Sequence, residues 1–260
     1  MNLIAMTGLT LVLAALPGLA PGAYTPLMQS DDREGQVHEQ KKESVPLARG
    51  SMVTVRGLNG SVTIETWEGE TAEIDILVTA SDRDALARRP LLIETTANGL
   101  TIRTEERRDV GRDRGWVRHR AHLRLPRTIS LGVSGINGAV DIAEITGSIS
   151  VSGVNGHVNV AEAGSATEIK GINGGVSVSL SRVGEQGLGV SGINGGVELG
   201  FSGKVDAQLD VHGVNGGVNS DFPLTVVGEM KRGELRGTIG AGGPQISVKG
   251  INGGVHIKRM

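Results

Sequence analysis

The four-residue string Gly-apolar-Asn-Gly recurs seven times along the chain and constrains its fold more than any other feature. Its asparagines are Asn59, Asn137, Asn155, Asn173, Asn194, Asn215 and Asn252. The last six are separated by steps of 18, 18, 21, 21 and 37 residues. Such self-similarity indicates a repeat architecture, in which each repeat packs on its neighbours.

Alternating residues flank every copy of the string. Valine stands three residues after each of the seven asparagines, and valine or isoleucine stands four residues before each. Five residues after the asparagine, the position is apolar in every copy except the one with Ser220. Because mostly polar residues or glycine separate these positions, the pattern predicts two short strands per repeat, each with one buried face.

The string itself predicts a corner between the two strands. An Asn-Gly pair tolerates positive φ, where a β-branched residue would clash. The apolar residue before the asparagine should point inward and fill the corner. The asparagines of successive corners should stack as a ladder of side-chain amides. All seven asparagines are therefore predicted as structural corner residues.

We predict an all-β fold, namely a single-chain β-solenoid (β-helix) with rungs of 18–21 residues and Gly-Ile/Val-Asn-Gly corners. The number of sheets per rung is not fixed by the pattern, and three sides of about six residues each are one option for an 18-residue rung. The 37-residue step then contains a degenerate rung that turns near Gly233, and the 78 residues between Asn59 and Asn137 divide at Asn98-Gly99. The alternative is an antiparallel β-sandwich, because Asn-Gly is also typical of two-residue hairpin turns.

The repeated Gly-Ile-Asn string resembles the bacterial adhesin head GIN domain and related β-strand-repeat families described as "putative adhesins". The segments Val62–Trp67, Leu235–Gly243 and Ile246–Arg259 are similar as well, and the resemblance covers about residues 50–259. It implies a β-helical fold in an exported protein, with adhesion as the proposed role and envelope-stress functions in some members. It supplies no catalytic residues.

Three segments of different composition are expected along the chain. Residues 1–23 carry no charged side chain and include the apolar run Leu9–Leu16, which is typical of a secretory signal peptide; the rival interpretation is an uncleaved N-terminal anchor. Residues 24–50 are polar and aperiodic, so we expect a flexible linker. Residues 51–259 form the predicted adhesin-like β-solenoid domain. The protein is therefore expected in the periplasm, on the cell surface or in the medium.

The segment Arg103–Arg127 holds nine arginines against four acidic residues. One interpretation is a patch that binds an anionic partner. Its candidate residues are Arg107, Arg108, Arg112, Arg114, Arg118 and Arg120. The other interpretation is a solvated loop, because runs of charge usually face water.

Composition argues against several classes of function. The absence of cysteine excludes disulfides, thiolate metal sites and a cysteine nucleophile. His119 and His122 would face opposite sides of a strand, so we expect neither a metal site nor a cofactor. A net charge of −2 argues against nucleic acid as a partner. A polysaccharide-active β-helix enzyme is the weaker alternative, because the chain has only two Trp, one Tyr and two Phe that could stack on sugar rings.

The sequence therefore predicts a non-enzymatic, exported β-solenoid of the cell envelope or surface, acting as an adhesin or binding scaffold without catalytic residues. An envelope-stress accessory protein is the alternative. The partner stays open among an envelope polymer, a surface glycan and another protein.

Overall fold

The computed structural model describes residues 36–96, 99–107, 115–162, 164, 167–226 and 233–260. This part of the chain forms two mixed β-sheets and one short helix, α1 (Arg83–Arg88). The ten-stranded sheet has the order β1 (Val37–Pro46), β4 (Thr71–Ala80), β7 (Val117–Pro126), β3 (Gly60–Trp67), β9 (Val140–Ile142), β11 (Val158–Val160), β13 (Val176–Leu180), β15 (Val197–Phe201), β21 (Val255–Arg259), β17 (Val218–Ser220). The eleven-stranded sheet has the order β18 (Leu224–Val226), β19 (Glu234–Ile239), β16 (Ala207–Val214), β20 (Gln245–Ile251), β14 (Leu188–Ile193), β12 (Thr167–Ile172), β10 (Ile149–Val154), β8 (Ser130–Ile136), β2 (Met52–Arg56), β6 (Gly99–Thr104), β5 (Leu91–Thr96).

Each asparagine corner carries the chain from the eleven-stranded sheet to the ten-stranded sheet. At Asn155, for example, β10 and β11 flank the corner and lie in different sheets. Val140, Val158 and Val176 are in-register neighbours in the parallel strands β9, β11 and β13, which confirms the pairing predicted from the 18-residue steps. The option of a third strand per rung does not hold for residues 143–148, which form a loop with one isolated bridge residue, the buried Ile145.

The inward positions of both sheets form one continuous hydrophobic core. The valines three residues after the asparagines are at most 2% exposed, except Val218 in the terminal strand β17, which is partly buried. The apolar residue of each corner is buried, as predicted. These corner residues are Leu58, Ile136, Val154, Ile172, Ile193, Val214 and Ile251. Burying such a side chain contributes about 1.5–3 kcal/mol, so the stacked rows supply much of the stability.

The two glycines of each corner have different roles. The first glycine takes a positive φ of 61° to 72° in all seven copies, whereas the glycine of the Asn-Gly pair has a positive φ at Gly60 and Gly174, with values of 145° and 157°. The second glycine allows close packing. A β-carbon on Gly156 would overlap the backbone of Gly138 in the adjacent corner, and one on Gly195 would overlap that of Gly174. The first glycine therefore permits the turn, and the second permits the corners to stack.

The rungs near the C-terminal end do not stack in chain order, which corrects the interpretation of the 37-residue step. Strands β20 and β21 insert between the rung of β14 and β15 and the rung of β16 and β17. No degenerate rung occupies the described part of this step; instead β19 pairs antiparallel with β16, and β18 with β19. Because β19 occupies one edge of β16, the other edge remains available for β20.

The division of the first gap at Asn98-Gly99 is wrong as well. Strand β2 pairs directly with β8, which makes the corner of Asn59 the neighbour of the corner of Asn137. Gly99 begins β6, which pairs antiparallel with β5 from Thr96↔Gly99 onward within one sheet. The two residues between these strands, 97 and 98, lie outside the described residues.

Part of the expected flexible linker is a strand. Residues 37–46 form β1 and pair antiparallel with β4 at the edge of the ten-stranded sheet, so the linker interpretation of residues 24–50 is wrong there. An edge strand is held mainly by backbone hydrogen bonds, and Val45 in β1 and Leu47 just after it are buried in the core. The predicted signal peptide, residues 1–23, lies outside the described residues. Among those described, no helix has the length and apolar character needed to cross a membrane.

Candidate functional site

The corner asparagines form one hydrogen-bonded row where the two sheets meet. In spatial order, this amide row is Asn59, Asn137, Asn155, Asn173, Asn194, Asn252, Asn215. Each Nδ2 from the second member onward donates to the Oδ1 of the preceding member, at 2.9–3.0 Å for five bonds and 3.3 Å for the last. The seven residues selected from the sequence are therefore brought together in a single row.

All amides of the row point in the same direction. At its first end, Asn59 Nδ2 donates to the Val117 carbonyl at 2.7 Å, and the Asn59 backbone N–H donates to His119 Nδ1 at 3.1 Å. An asparagine amide has two N–H donors and an oxygen with two lone pairs. Since each internal bond of the row uses one donor and one lone pair per residue, a second donor and a second lone pair remain on each rung. The row is thus a regular array of neutral hydrogen-bonding groups.

A strip of bare backbone lies beside the amide row. Two residues after the asparagine, four neighbouring rungs have glycine. This glycine row is Gly175, Gly196, Gly254, Gly217. The four carbonyl oxygens accept hydrogen bonds of 2.9–3.0 Å from valines of the adjacent rungs, which keep the strip flat and regular. It contributes three glycines to the lining of an open depression of about 510 Å³.

Polar side chains border this depression. They are His157, Ser177, Glu198, Asn219 and His256. Glu198 forms an ion pair with Lys258, and His256 Nε2 lies 3.6 Å from Asp221. The sequence reasoning missed this feature. Its signal was the residue after Asn-Gly, which is Ser, Ala or His in three copies and Gly in the other four.

The structure describes three of the six arginines predicted as a patch. Arg107 is exposed after β6, and Arg118 and Arg120 are exposed on the outer face of β7. The guanidinium of Arg118 lies 5.0 Å from the ring centroid of Trp116. The other candidates, Arg108, Arg112 and Arg114, lie outside the described residues. Arg118 and Arg120 are brought together on one sheet face, whereas Arg107 belongs to the connection after β6.

His119 is buried on the inner side of β7, and His122 is exposed on the outer side, as the strand alternation predicts. Burial lowers the pKa of His119, and the Asn59 backbone N–H donates a hydrogen bond to its Nδ1. Because Nδ1 accepts that bond, the neutral ring carries its proton on Nε2, which is buried without a partner in the described structure. His119 helps to line a second depression of about 370 Å³ beside Asn59.

The carboxyl groups with shifted pKa values hold local structure together. The pKa of Asp82 is lowered because its carboxylate accepts the Ala85 N–H at the start of α1. The pKa of Glu94 is lowered by its hydrogen bond from Arg103, and that of Asp206 by its bond from the Ala241 N–H. Among the described residues, no three His, Cys, Asp or Glu side chains come together as a metal-binding group.

No protein-family model matches the chain, and no curated protein matches it. Solved bacterial structures are similar to it. A "putative cell adhesion protein" from Clostridium sporogenes is 12% identical, with 85% of this chain and 100% of that chain covered and a TM-score of 0.36. "Putative adhesins" from Parabacteroides merdae and Bacteroides fragilis are 11% and 12% identical, each over 85% of this chain and over 96% and 97% of theirs, both with a TM-score of 0.29.

Proposed function

We propose that the protein is an exported, non-enzymatic binding scaffold of the adhesin type, a β-solenoid that binds an extended glycan along its amide row and glycine row. The unbroken row of seven reachable amides carries this proposal. Its neutral donors and acceptors recur once per rung, about 4.8 Å apart. Such an array suits a polymer whose hydroxyl groups also recur along its length.

The pairing of the strands supports a solenoid. From β8 to β15, the chain alternates between the two sheets, and every strand pairs in parallel with its equivalent in the neighbouring repeat. Parallel stacking at offsets of 18 and 21 residues is how a coil of rungs pairs with itself. The antiparallel strands lie toward the two ends, in β1, β4 and β7, in β5 and β6, and in β16, β18 and β19.

The shape and charge of the face support binding rather than catalysis. The glycine row leaves room for a ligand chain to approach the backbone closely, because no side chain rises from it. The carboxyl groups with displaced pKa values, Asp82, Glu94 and Asp206, cap turns or pair with a cation, and none of them lines the depression at the glycine row. Catalytic acids and bases, in contrast, usually have shifted pKa values and lie within a cleft.

The test fills the glycine row without disturbing the rung. A β-carbon on Gly196 or Gly254 would meet its nearest atom only at 3.8 Å or 3.6 Å, which is ordinary contact. We expect Gly196→Phe/Gly254→Phe to weaken binding to isolated bacterial envelopes and to arrayed glycans at least about tenfold, because the rings occupy the ligand's path. The control is Ser247→Phe, which places one ring on the outer face of β20 in the other sheet. Equal binding by both variants would refute the proposed face.

Export is proposed from the composition of residues 1–23. Expressed in a bacterial host, the protein should be recovered outside the cytoplasm, shortened by about 20–23 residues. Mass spectrometry of the recovered chain decides this point. A full-length chain in the cytoplasmic fraction would contradict export without affecting the binding face.

A further inference from the structure

Two arginines on the outer face of β7 carry charges that no described carboxylate neutralises. Other cations on this face have partners: Lys42 Nζ lies 3.1 Å from Asp75, and Arg124 Nη1 lies 3.4 Å from Glu73. Within the described residues, Arg118 and Arg120 form no ion pair. The strands beside them offer neutral groups, since Arg120 pairs with Leu77 on β4 and with Ser61 on β3, and Arg118 pairs with Thr79.

This arginine pair, Arg118 and Arg120, stands at one end of the candidate binding face. Ser61 occupies the position two residues after Asn59, which is the glycine-row position of its rung. Because Ser61 pairs with Arg120 in the next strand, Arg120 continues the line of the glycine row. Arg118 lies two residues earlier on the same strand face, about 7 Å away along the backbone. A polymer following the rows reaches the arginine pair at the β7 end.

The stacking of Arg118 prepares it for an anion. Its guanidinium lies over the indole of Trp116, which orients the planar group and leaves its N–H edge for hydrogen bonds. A guanidinium binds a carboxylate through two parallel, charge-assisted hydrogen bonds. The rest of the face differs, because the amide row is neutral and Glu198, two positions beyond the glycine row, is paired with Lys258.

We infer that the ligand of this face is an acidic polysaccharide, whose hydroxyl groups bind the amide row and whose carboxylate binds Arg118 and Arg120. This inference rests on the proposed function, because it names the chemical class of the glycan. It assigns different parts of the polymer to different parts of the face. Sugar hydroxyl groups lie on the two rows, and a carboxylate lies at the β7 end.

The experiment compares two forms of one polymer. Polygalacturonate and its fully methyl-esterified form share a sugar backbone, and only the first is charged. We expect the wild-type protein to bind polygalacturonate about tenfold more tightly than the ester at about 20 mM NaCl, and the preference to shrink at about 300 mM because salt screens exposed charges. Arg118→Ser/Arg120→Ser should abolish the preference and leave binding of the ester unchanged. Lys42→Ser/Arg124→Ser, with the same loss of charge from paired cations, should keep it.

Calorimetric titration separates the outcomes. Equal affinity of the wild-type protein for the two polymers would overturn the arginine inference while leaving the proposed face intact. Failure to bind either polymer would overturn the inference, whereas the envelope-binding comparison of the phenylalanine variants still decides the proposed function. Inorganic polyphosphate or anionic vesicles bound as tightly as polygalacturonate would show a general anion site and would also overturn it.

Discussion

Gly195 and Gly196 are adjacent in the sequence, yet alanine should have opposite effects at the two positions. A β-carbon on Gly195 would overlap the carbonyl group of Gly174, and Gly174 is held by its own rung. The rung cannot move away freely, because Asn194 N donates to Ile172 O and Asn252 N donates to Ile193 O, both at 2.8 Å. We expect Gly195→Ala to lower the free energy of unfolding by about 3 kcal/mol, the upper part of the usual range for overpacking.

Alanine at Gly196 has room, since the nearest atom to its β-carbon would be the Gly254 carbonyl oxygen at 3.8 Å. Its backbone is not in the positive-φ region, so Gly196→Ala should change stability by less than about 1 kcal/mol, with a gain expected because the unfolded chain loses freedom. Thermal and urea unfolding followed by circular dichroism measure both. A difference of about 3 kcal/mol corresponds to roughly 6–12 °C in midpoint for a chain of this size. Indistinguishable midpoints would refute the close packing of corners.

Three further results are expected. Asn173→Ala removes two bonds of the amide row and should lower the free energy of unfolding by about 1–2 kcal/mol in urea titrations. This loss should be about twice that of Asn215→Ala, which removes only the last bond of the row. Cysteines placed at Ser191 and Lys249 should form a disulfide on oxidation, because these residues are in register on the neighbouring strands β14 and β20. Cysteines placed at Ser191 and His212 lie two strands apart and should stay reduced. The reverse pattern on non-reducing gels would contradict the inserted rung. Burial lowers the pKa of His119 in the folded chain, so just below pH 6.5, the ordinary pKa of histidine, the unfolded chain binds a proton more readily than the folded chain. The free energy of unfolding should therefore fall as the pH drops below about 6.5. His119→Gln should show a flatter pH dependence.

The period of the sequence predicts which residues stack but not which rungs are neighbours. The 18-residue steps place Val140, Val158 and Val176 side by side, and this pairing is confirmed. The repeat pattern of the sequence does not predict the order of the later rungs. Val190 and Val248 occupy equivalent buried positions, so β20 fits against β14 as well as any strand in chain order would. Strands with the same pattern of buried residues can pair equally well in several orders. The order adopted depends on which strand edges are already paired.

Two other features were missed for different physical reasons. Strand β1 is polar because an edge strand is held mainly through its backbone, and backbone hydrogen bonds leave no mark on the sequence. The glycine row was visible as Asn-Gly-Gly doublets, but glycine is usually explained by backbone conformation alone. Only the register shows that Gly175, Gly196 and Gly254 are neighbours on an exposed face. For Arg118 and Arg120, the sequence shows the charges, while only the strand pairing shows that Leu77, Thr79 and Ser61 are their partners across the neighbouring strands.

The insertion of β20 and β21 between two rungs that precede them in the chain determines the order in which the protein can fold. In a solenoid whose rungs stack in chain order, each new rung adds to a finished end. Here, the parallel neighbours of β16 and β17 are β20 and β21, so this rung cannot dock until residues 245–259 arrive. A nascent chain can complete its rungs in order only as far as β15, and the rung of β16 and β17 then closes through contacts with residues that follow it by 37 positions. Such closure is slow for its size, because loop entropy is lost before the contacts form.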